Sequence, residues 1–372
     1  MERLKIAILG CGRISDKHIE ALADNNLEAR LVAVCDILPE RMDNAIKYYN
    51  KLIKEKEYIE FQSIKKYMDY KEMLEKNDVD AVIITTESGF HGKHSIDCLK
   101  LGKHVLVEKP MALSITDADE MIKISKEKKV KLGVCYQNRF SPPILKLKEA
   151  IENERFGQLI NGTTRILWNR DKDYYLKAPW RKDWKLGGGA LINQCIHHID
   201  LLQWMMNSKV GNLFAQTDTF FSNMQAEDFA AIIIRFKNGT IGIVEGNLCV
   251  YPKNLEETLS IFGEKGTVVM GGSRINMIKV WKFEKGEEYE EENLEKQFLN
   301  YNKIYAHSHS LLYKDFIDAI KENREPMVNG EEGKKSLEIV LGAYLSQLLG
   351  EKIDFPVKEV DIHNLLRCRY EM

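Results

Sequence analysis

At 372 residues the chain exceeds what one hydrophobic core usually supports, so two domains are expected. Its 54 Lys plus Arg against 56 Asp plus Glu leave a formal charge of -2, with no cationic surplus for a phosphate backbone, which excludes nucleic acid as the expected partner. The opening MERLKIAILG is too short an apolar run for a signal peptide, and no stretch reaches about eighteen consecutive apolar residues, so no membrane span is expected and the reading is cytoplasmic.

Along the chain, β-branched runs at Leu4 to Leu9, Leu31 to Cys35, Val79 to Thr85, His104 to Val107 and Val130 to Val134 alternate with amphipathic stretches. That order predicts an α/β domain, a parallel sheet wrapped by helices. Arg41 to Tyr70 is longer than a minimal crossover and predicts a long helix plus an irregular connection. After Tyr136 the pattern changes: Ser141-Pro142-Pro143 breaks the chain and a helix runs to about Asn153, ended by Phe156-Gly157. The expected domains are therefore 1–136 and 137–372.

In the second part Gln158 to Trp168 alternates as a strand and a helix is predicted over about Ala190 to Met206. Phe229 to Phe236, Thr240 to Val250, Thr258 to Phe262 and Lys279 to Phe283 are among the further strands. Turns such as Lys237-Asn238-Gly239 join neighbours, which predicts an open, largely antiparallel sheet. Glu284 to Lys296 reads as a solvated loop, and helices at Leu311 to Glu322 and Glu331 to Leu349 close the chain around a turn at Pro326. Seven cysteines, Cys11, Cys35, Cys98, Cys135, Cys195, Cys249 and Cys368, are odd in number and lack a CxxC pair. They are read as reduced and mostly structural.

Gly10-Cys11-Gly12-Arg13-Ile14-Ser15 follows the first strand directly and opens a helix, the context a GxGxxG-type dinucleotide fingerprint requires. Gly10 permits the tight turn, Gly12 lets the backbone approach a pyrophosphate, and the helix start at Arg13 and Ile14 supplies N–H donors and a favourable dipole. Ser15 stands in for the third glycine. Asp36 ends the second strand about twenty residues on, where a carboxylate accepts from a ribose 2′-hydroxyl and repels a 2′-phosphate. NAD is thus expected over NADP, with Arg41 near enough in sequence to leave dual use open.

Two loops leave strand carboxyl ends, where ligands sit in open α/β sheets: Thr85 to His91, and Glu108-Lys109-Pro110. A cis bond at Pro110 would turn Lys109 into the crevice. A lysine there, its pKa lowered by burial beside a cation, can exchange a hydroxyl proton while hydride moves to or from nicotinamide. Farther on, Gly187-Gly188-Gly189 precedes a helix on which Asn193, His197 and Asp200 fall at i, i+4 and i+7 and share one face. Leu191, Ile192, Ile196, Ile199 and Leu202 cover the rest. Taken without Lys109, the stripe reads equally well as a solvent face; His198 is assigned to structure.

The Gly10 fingerprint, HVLVEKPMALS from His104, YQNRF from Tyr136 and GGGALINQCIHHIDLLQW from Gly187 stand in an order that resembles the Gfo/Idh/MocA family over nearly the whole chain. The stretch from Leu312 through DFIDAIKENREP to the helix at Ser336 to Leu349 is similar to the family's closing segment. The resemblance implies an N-terminal Rossmann domain with a doubly wound parallel sheet. It also implies a C-terminal α/β domain whose open sheet forms homodimers or homotetramers, and NAD(P) as cofactor. It makes Lys109 the catalytic lysine and His197 the catalytic histidine. Thr86, His91, Glu108, Gln137, Trp180 and Arg181 would be cofactor-facing, and Arg170 and Tyr175, with Trp168 and Tyr174, lid or sugar-facing. Asn193 departs from the Asp of many members, and Glu87 from their Pro. An amide cannot accept a proton, so Asn193 would orient a substrate hydroxyl while Lys109 and His197 act as acid and base. The Lys, Asn and His set resembles the nucleotide-sugar branch more than the inositol dehydrogenases.

The expected function is an NAD-dependent oxidoreductase acting on a ring hydroxyl, C3 foremost, of a sugar or sugar nucleotide. Three alternatives stand beside it: a glycoside hydrolase using transient C3 oxidation, an inositol or free-sugar dehydrogenase, and a non-catalytic NAD-binding regulator. His91, His94, His197, His198 and Asp200 lack zinc spacing, so no metal is expected.

Overall fold

The computed structural model describes residues 3–58, 63–176, 179–220, 226–272, 275, 277–285, 305–358 and 360–361. They form two compact units. The first comprises Met1–Ala112, Asp117–Phe140 and Lys303–Gly333, and the second Leu113–Thr116, Ser141–Asn302 and Lys334–Met372.

The first unit is built from β1 (Leu4–Leu9), α1 (Ser15–Asp24), β2 (Ala29–Cys35), α2 (Pro39–Glu55), β3 (Lys65–Tyr67), α3 (Tyr70–Lys76), β4 (Ala81–Ile84), α4 (His91–Lys100), β5 (His104–Val107), α5 (Ile115–Lys128) and β6 (Leu132–Val134). The strands lie in the order β3-β2-β1-β4-β5-β6, and every neighbouring pair is parallel. Every residue of β4 is buried, as a strand covered on both faces requires. The order reverses between β1 and β4, which opens a crevice at the strand carboxyl ends where Gly10 and Thr85 emerge. The expected parallel sheet is thus present. Its sixth strand, β3, has the sequence KKY and no apolar run, so hydrophobic patterning did not reveal it. The expected long helix in the Arg41 to Tyr70 stretch is α2.

The second unit contains α6 (Pro142–Glu152), β7 (Leu159–Leu167), α7 (Lys172–Leu176), a π-helical turn at Ala190–Cys195, α8 (Ile196–Met205), β8 (Val210–Asp218), β9 (Phe229–Phe236), β10 (Ile241–Asn247), β11 (Glu256–Gly263), β12 (Gly266–Gly271) and β13 (Met277–Phe283). The chain closes with α9 (Tyr305–Lys321), which belongs to the first unit, α10 (Gly330–Leu349) and β14 (Ile353–Asp354). The eight-stranded sheet runs β13-β12-β11-β7-β10-β9-β8-β14 and is antiparallel throughout except where β10 lies parallel to β7.

Helix α8 packs on one face of this sheet through glycines. A Cβ on Gly162 of β7 would come within 2.7 Å of Leu202 and 2.8 Å of Met206. β8 carries Gly211, Asn212, Gln216 and Asp218, and β12 begins and ends in glycine; both were hidden by those residues. The helix expected over Ala190 to Met206 divides in two, its first turn being π rather than α. Of the charged run, Glu284 and Lys285 follow β13, and 286–296 lie outside the described residues, as does Cys368. Cys11, Cys35, Cys98, Cys135 and Cys195 are buried thiols, and Cys249 is a half-buried one. Among the described residues no helix is long and apolar enough to cross a membrane.

Candidate active site

β1 delivers the chain to Gly10, whose φ is +98°, and a Cβ there would lie 2.8 Å from the carbonyl carbon and oxygen of Thr85 and from the amide nitrogen of Thr86. Only glycine lets the turn pass so close to the backbone leaving β4. Gly12 differs: no atom lies within 4 Å of where its Cβ would be. Bare backbone with room above it, at the start of a helix, fits a dinucleotide pyrophosphate. Arg13 and Ile14 are exposed on this turn, and Ser15 points inward, its Oγ donating to the Gly12 carbonyl at 2.6 Å.

Asp36 is buried at the end of β2. Its Oδ2 accepts from the Cys11 N–H at 2.7 Å and its Oδ1 from the Leu38 N–H at 2.9 Å. Each oxygen retains a further lone pair, so the carboxylate that ties the fingerprint turn to β2 can also receive ribose hydroxyls. Arg41 is exposed.

The loops leaving β4 and β5 are joined by His91. Its Nε2 lies 2.9 Å from the Thr86 carbonyl oxygen and its Nδ1 2.7 Å from that of Pro110. Both nitrogens face backbone carbonyls, of which a neutral ring donates to one, so the imidazole bridges the two loops. Burial keeps this imidazole below its usual pKa, against the pull of the two carbonyls. Thr86 is half-buried with Oγ1 3.2 Å from His94 Nδ1. Burial lowers the His94 pKa to about 4, helped by His91 and Lys93.

The Lys109–Pro110 peptide is cis. Lys109 is half-buried, whereas Glu108 points into the core, its Oε1 2.9 Å from His18 Nε2 and its Oε2 accepting from the Lys109 N–H at 3.1 Å. Burial alone would raise the Glu108 carboxyl, but the His18 hydrogen bond and the nearby His18, Lys109 and His309 hold it at about 2. Gln137 is buried at the start of the 3₁₀ turn Gln137–Phe140 that follows β6.

In the second unit the glycine-rich segment is held by its neighbours. Gly189 has a φ of +119°, and a Cβ on it would meet Glu227 Oε2 at 2.6 Å. The Glu227 Oε1 accepts from the Leu191 N–H at 2.7 Å and from the Tyr344 hydroxyl at 2.9 Å. A buried carboxylate thus caps the π-helical turn on which Asn193 sits. Asn193 is buried, its Nδ2 donating to the Gly187 carbonyl at 3.3 Å and its Oδ1 accepting from Gln194 at 2.8 Å. His197 is half-buried on the first turn of α8.

Of the stripe expected of Asn193, His197 and Asp200, the first residue stands on the π turn and the other two on α8. Asp200 is turned into the packing, where it accepts from Ser336 at 2.9 Å. His198 is structural, as expected, 3.0 Å from Glu257.

Gln194 also donates to the Tyr174 hydroxyl at 2.6 Å. Around that ring stands a cation–aromatic cluster. The Arg170 guanidinium lies 4.2 Å from the Trp168 ring centre and 4.9 Å from that of Tyr174, and Arg181 lies 4.4 Å from Tyr174 and 5.4 Å from Trp180. Arg170 also donates to Asn169 O and to Asn254 Oδ1, and burial lowers its pKa. Tyr175 is buried edge-on to Tyr174, and burial raises its phenol.

Sequence reasoning missed the residues that brace these groups: His18, Tyr313 and His309 behind Glu108, and Glu227 with Tyr344 behind the π turn. None belongs to a spaced motif. The sequence signal for Glu227 was only its place just ahead of the apolar strand β9.

Residues 4–136 match the oxidoreductase family with an NAD-binding Rossmann fold, and residues 144–269 match the GFO/IDH/MocA C-terminal domain. Among solved structures the chain is similar to the WlbA dehydrogenase from Bordetella pertussis in complex with NADH and UDP-GlcNAcA. The TM-score is 0.84 and the identity 32%, covering 96% of this chain and 99% of that one. It is 29% identical over 365 residues to the myo-inositol 2-dehydrogenase of Thermotoga maritima, covering 96% of this chain and 99% of the relative. It is 25% identical over 362 residues to the scyllo-inositol 2-dehydrogenase (NAD(+)) of Bacillus subtilis, covering 96% and 97%. Two sheets of the expected topology, a dinucleotide turn with its acidic residue, and family matches along both halves lead to one conclusion: the chain belongs to the GFO/IDH/MocA family and is an NAD-dependent sugar oxidoreductase.

Proposed function

We propose that this enzyme oxidises, or in reverse reduces, a ring hydroxyl of a sugar nucleotide, C3 being the expected position, and that it works as a cytoplasmic homo-oligomer. The observation that carries the reading is a Lys, Asn and His set in a chain 32% identical along 96% of its length to a dehydrogenase crystallised with NADH and UDP-GlcNAcA. Bound NAD supplies the hydride acceptor or donor. Gly10, Gly12, Arg13, Ile14 and Asp36 hold the dinucleotide, with Thr86, His91, Glu108, Gln137, Trp180 and Arg181 shaping or contacting its site. The Lys109 amine takes the proton from the reacting hydroxyl oxygen in the oxidative direction and returns it in the other. His197 is the second acid or base, and Asn193 orients the hydroxyl by hydrogen bonding. Arg170 and Arg181, on the same tyrosine ring, suit a substrate bearing phosphate or carboxylate, and Tyr175 lies beside them.

A panel of UDP-sugars, UDP-uronates, free sugars and inositols, read by NADH absorbance, tests this. Turnover confined to nucleotide sugars supports it. Turnover confined to inositols replaces it with the polyol reading, which the 29% identity to the Thermotoga enzyme favours. Phenol release from aryl glycosides without NADH accumulation would indicate the hydrolase, and silence across the panel a regulator.

The oligomer reading rests on one sheet face. Phe214 of β8 lies opposite Ile233 of β9, which lies opposite Ile243 of β10, and all three are exposed, Ile233 by 57%. A row of large apolar side chains on adjacent strands suits a second copy of the chain. Light scattering of the parent and of Ile233→Asp would test it, a monomeric parent refuting it.

A further inference from the structure

Five titratable side chains are buried together in the first unit, behind the loop that carries Lys109: His18 of α1, Glu108, Cys135 after β6, and His309 and Tyr313 of α9. Ordinary packing would place Leu or Phe in such a region, because desolvating ionisable groups is costly unless each is satisfied. Three of them form a chain. Tyr313 Oη lies 2.9 Å from His18 Nδ1, His18 Nε2 lies 2.9 Å from Glu108 Oε1, and Glu108 Oε2 accepts from the backbone N–H of Lys109.

One proton arrangement satisfies every contact: the tyrosine O–H donates to Nδ1, and Nε2–H donates to an ionised carboxylate. The surroundings agree with it. Burial keeps the Tyr313 phenol and the Cys135 thiol far above their usual range, so both stay protonated. Burial lowers His309, whose ring stands 5.8 Å from that of His18, to about 4, so it stays neutral. His91 faces the same loop from α4, held by the Pro110 carbonyl, and burial disfavours its charged form as well.

We infer that the Tyr313–His18–Glu108 chain is a positioning device for Lys109, fixing an anion behind that loop and thereby the pH at which the lysine amine gains and loses its proton. This rests on Lys109 being the acid–base residue proposed above. No group in the chain need touch the substrate. Glu108 acts through its charge and through its grip on the Lys109 backbone, His18 keeps the carboxylate in place, and Tyr313 fixes the His18 tautomer.

The test uses two variants and two measurements. Glu108→Gln keeps the shape and removes the anion, so Lys109 should lose its proton more readily. His18→Leu removes the donor that keeps the buried carboxylate ionised, so Glu108 holds a proton more readily and the change should run the same way; His18→Gln, which restores a donor, should return towards the parent. The first measurement is the pH dependence of Lys109 modification by a small amine reagent, read by peptide mass spectrometry on the full chain without substrate. The second is the rising limb of kcat/KM against pH for oxidation.

In Glu108→Gln both midpoints are expected to move down by about one pH unit, and in His18→Leu down by roughly half a unit, with His18→Gln closer to the parent. Thermal melting identifies any variant that does not fold, and His18→Leu then decides alone. Folded variants with Lys109 labelling midpoints equal to that of the parent would overturn the inference, whatever happens to turnover. Labelling that shifts as expected in a protein that turns over no sugar would instead overturn the functional reading and leave the inference standing.

Discussion

The two fingerprint glycines should separate folding from cofactor binding when each is changed to alanine. In Gly10→Ala the new methyl carries a φ of +98° and sits 2.8 Å from three backbone atoms of Thr85 and Thr86. Those atoms cannot retreat easily, because the Thr85 N–H donates to Leu9 O at 2.9 Å and its Oγ1 to Gly10 O at 2.5 Å. A left-handed backbone at a non-glycine residue costs roughly 1–2 kcal/mol and an overpacked methyl roughly 1–3 more, so about 2–5 kcal/mol is expected together. For a unit of this size that is a melting-temperature loss of roughly 10 °C. Gly12→Ala meets nothing within 4 Å, and restricting the unfolded chain should leave stability equal or higher by up to about 1 kcal/mol. Its methyl instead fills the space left for the pyrophosphate, so NADH affinity should fall at least about tenfold, near 1.4 kcal/mol. Differential scanning fluorimetry and NADH fluorescence titration read the two effects separately. A Gly10→Ala protein melting at the parent temperature, or a Gly12→Ala protein binding NADH normally, would refute the reasoning.

Lys109→Ala is expected to lower kcat/KM by about a hundredfold or more while NADH affinity stays within a few-fold, as removal of a general base should; steady-state kinetics and fluorescence titration check both. Glu227→Ala strips the acceptor from the Leu191 N–H and the Tyr344 hydroxyl, and urea denaturation should show a loss of about 3 kcal/mol or more, with Glu227→Gln losing clearly less. Acid should weaken the fold in two windows. His94 and His309 have folded pKa values near 4 against a usual 6.5, so the unfolded state binds more protons between those values and stability falls as pH drops through them. Glu108, at about 2 against 4.5, adds a second loss on going below about pH 4.5. Urea midpoints that hold constant from pH 7 to pH 4 would contradict this.

What could be read in advance followed from local chemistry. Five strands of the first sheet announced themselves as β-branched runs, and the turn from Gly10 to Ser15 could be placed because strand, glycines and helix are contiguous. β3 could not, since its pairing with β2 is made by backbone and its side chains are mostly exposed. The single helix expected over Ala190 to Met206 assumed an α-helical step of 100° per residue throughout; the π turn at Ala190–Cys195 is braced by Glu227 and Tyr344, distant in sequence, and no local pattern encodes it. The same holds for His91: its loop was marked by position, but that its ring lies between two backbone carbonyls depends on where Pro110 lies in space.

The double duty of Asp36 limits how this protein can change its coenzyme. Exchanging the carboxylate for a neutral or cationic side chain to welcome a phosphorylated ribose also strips the acceptors from the amides of Cys11 and Leu38. Selectivity and the rigidity of the loop are therefore inherited together. A lineage moving to NADP would have to rebuild that support first, or pass through a form that holds either dinucleotide poorly.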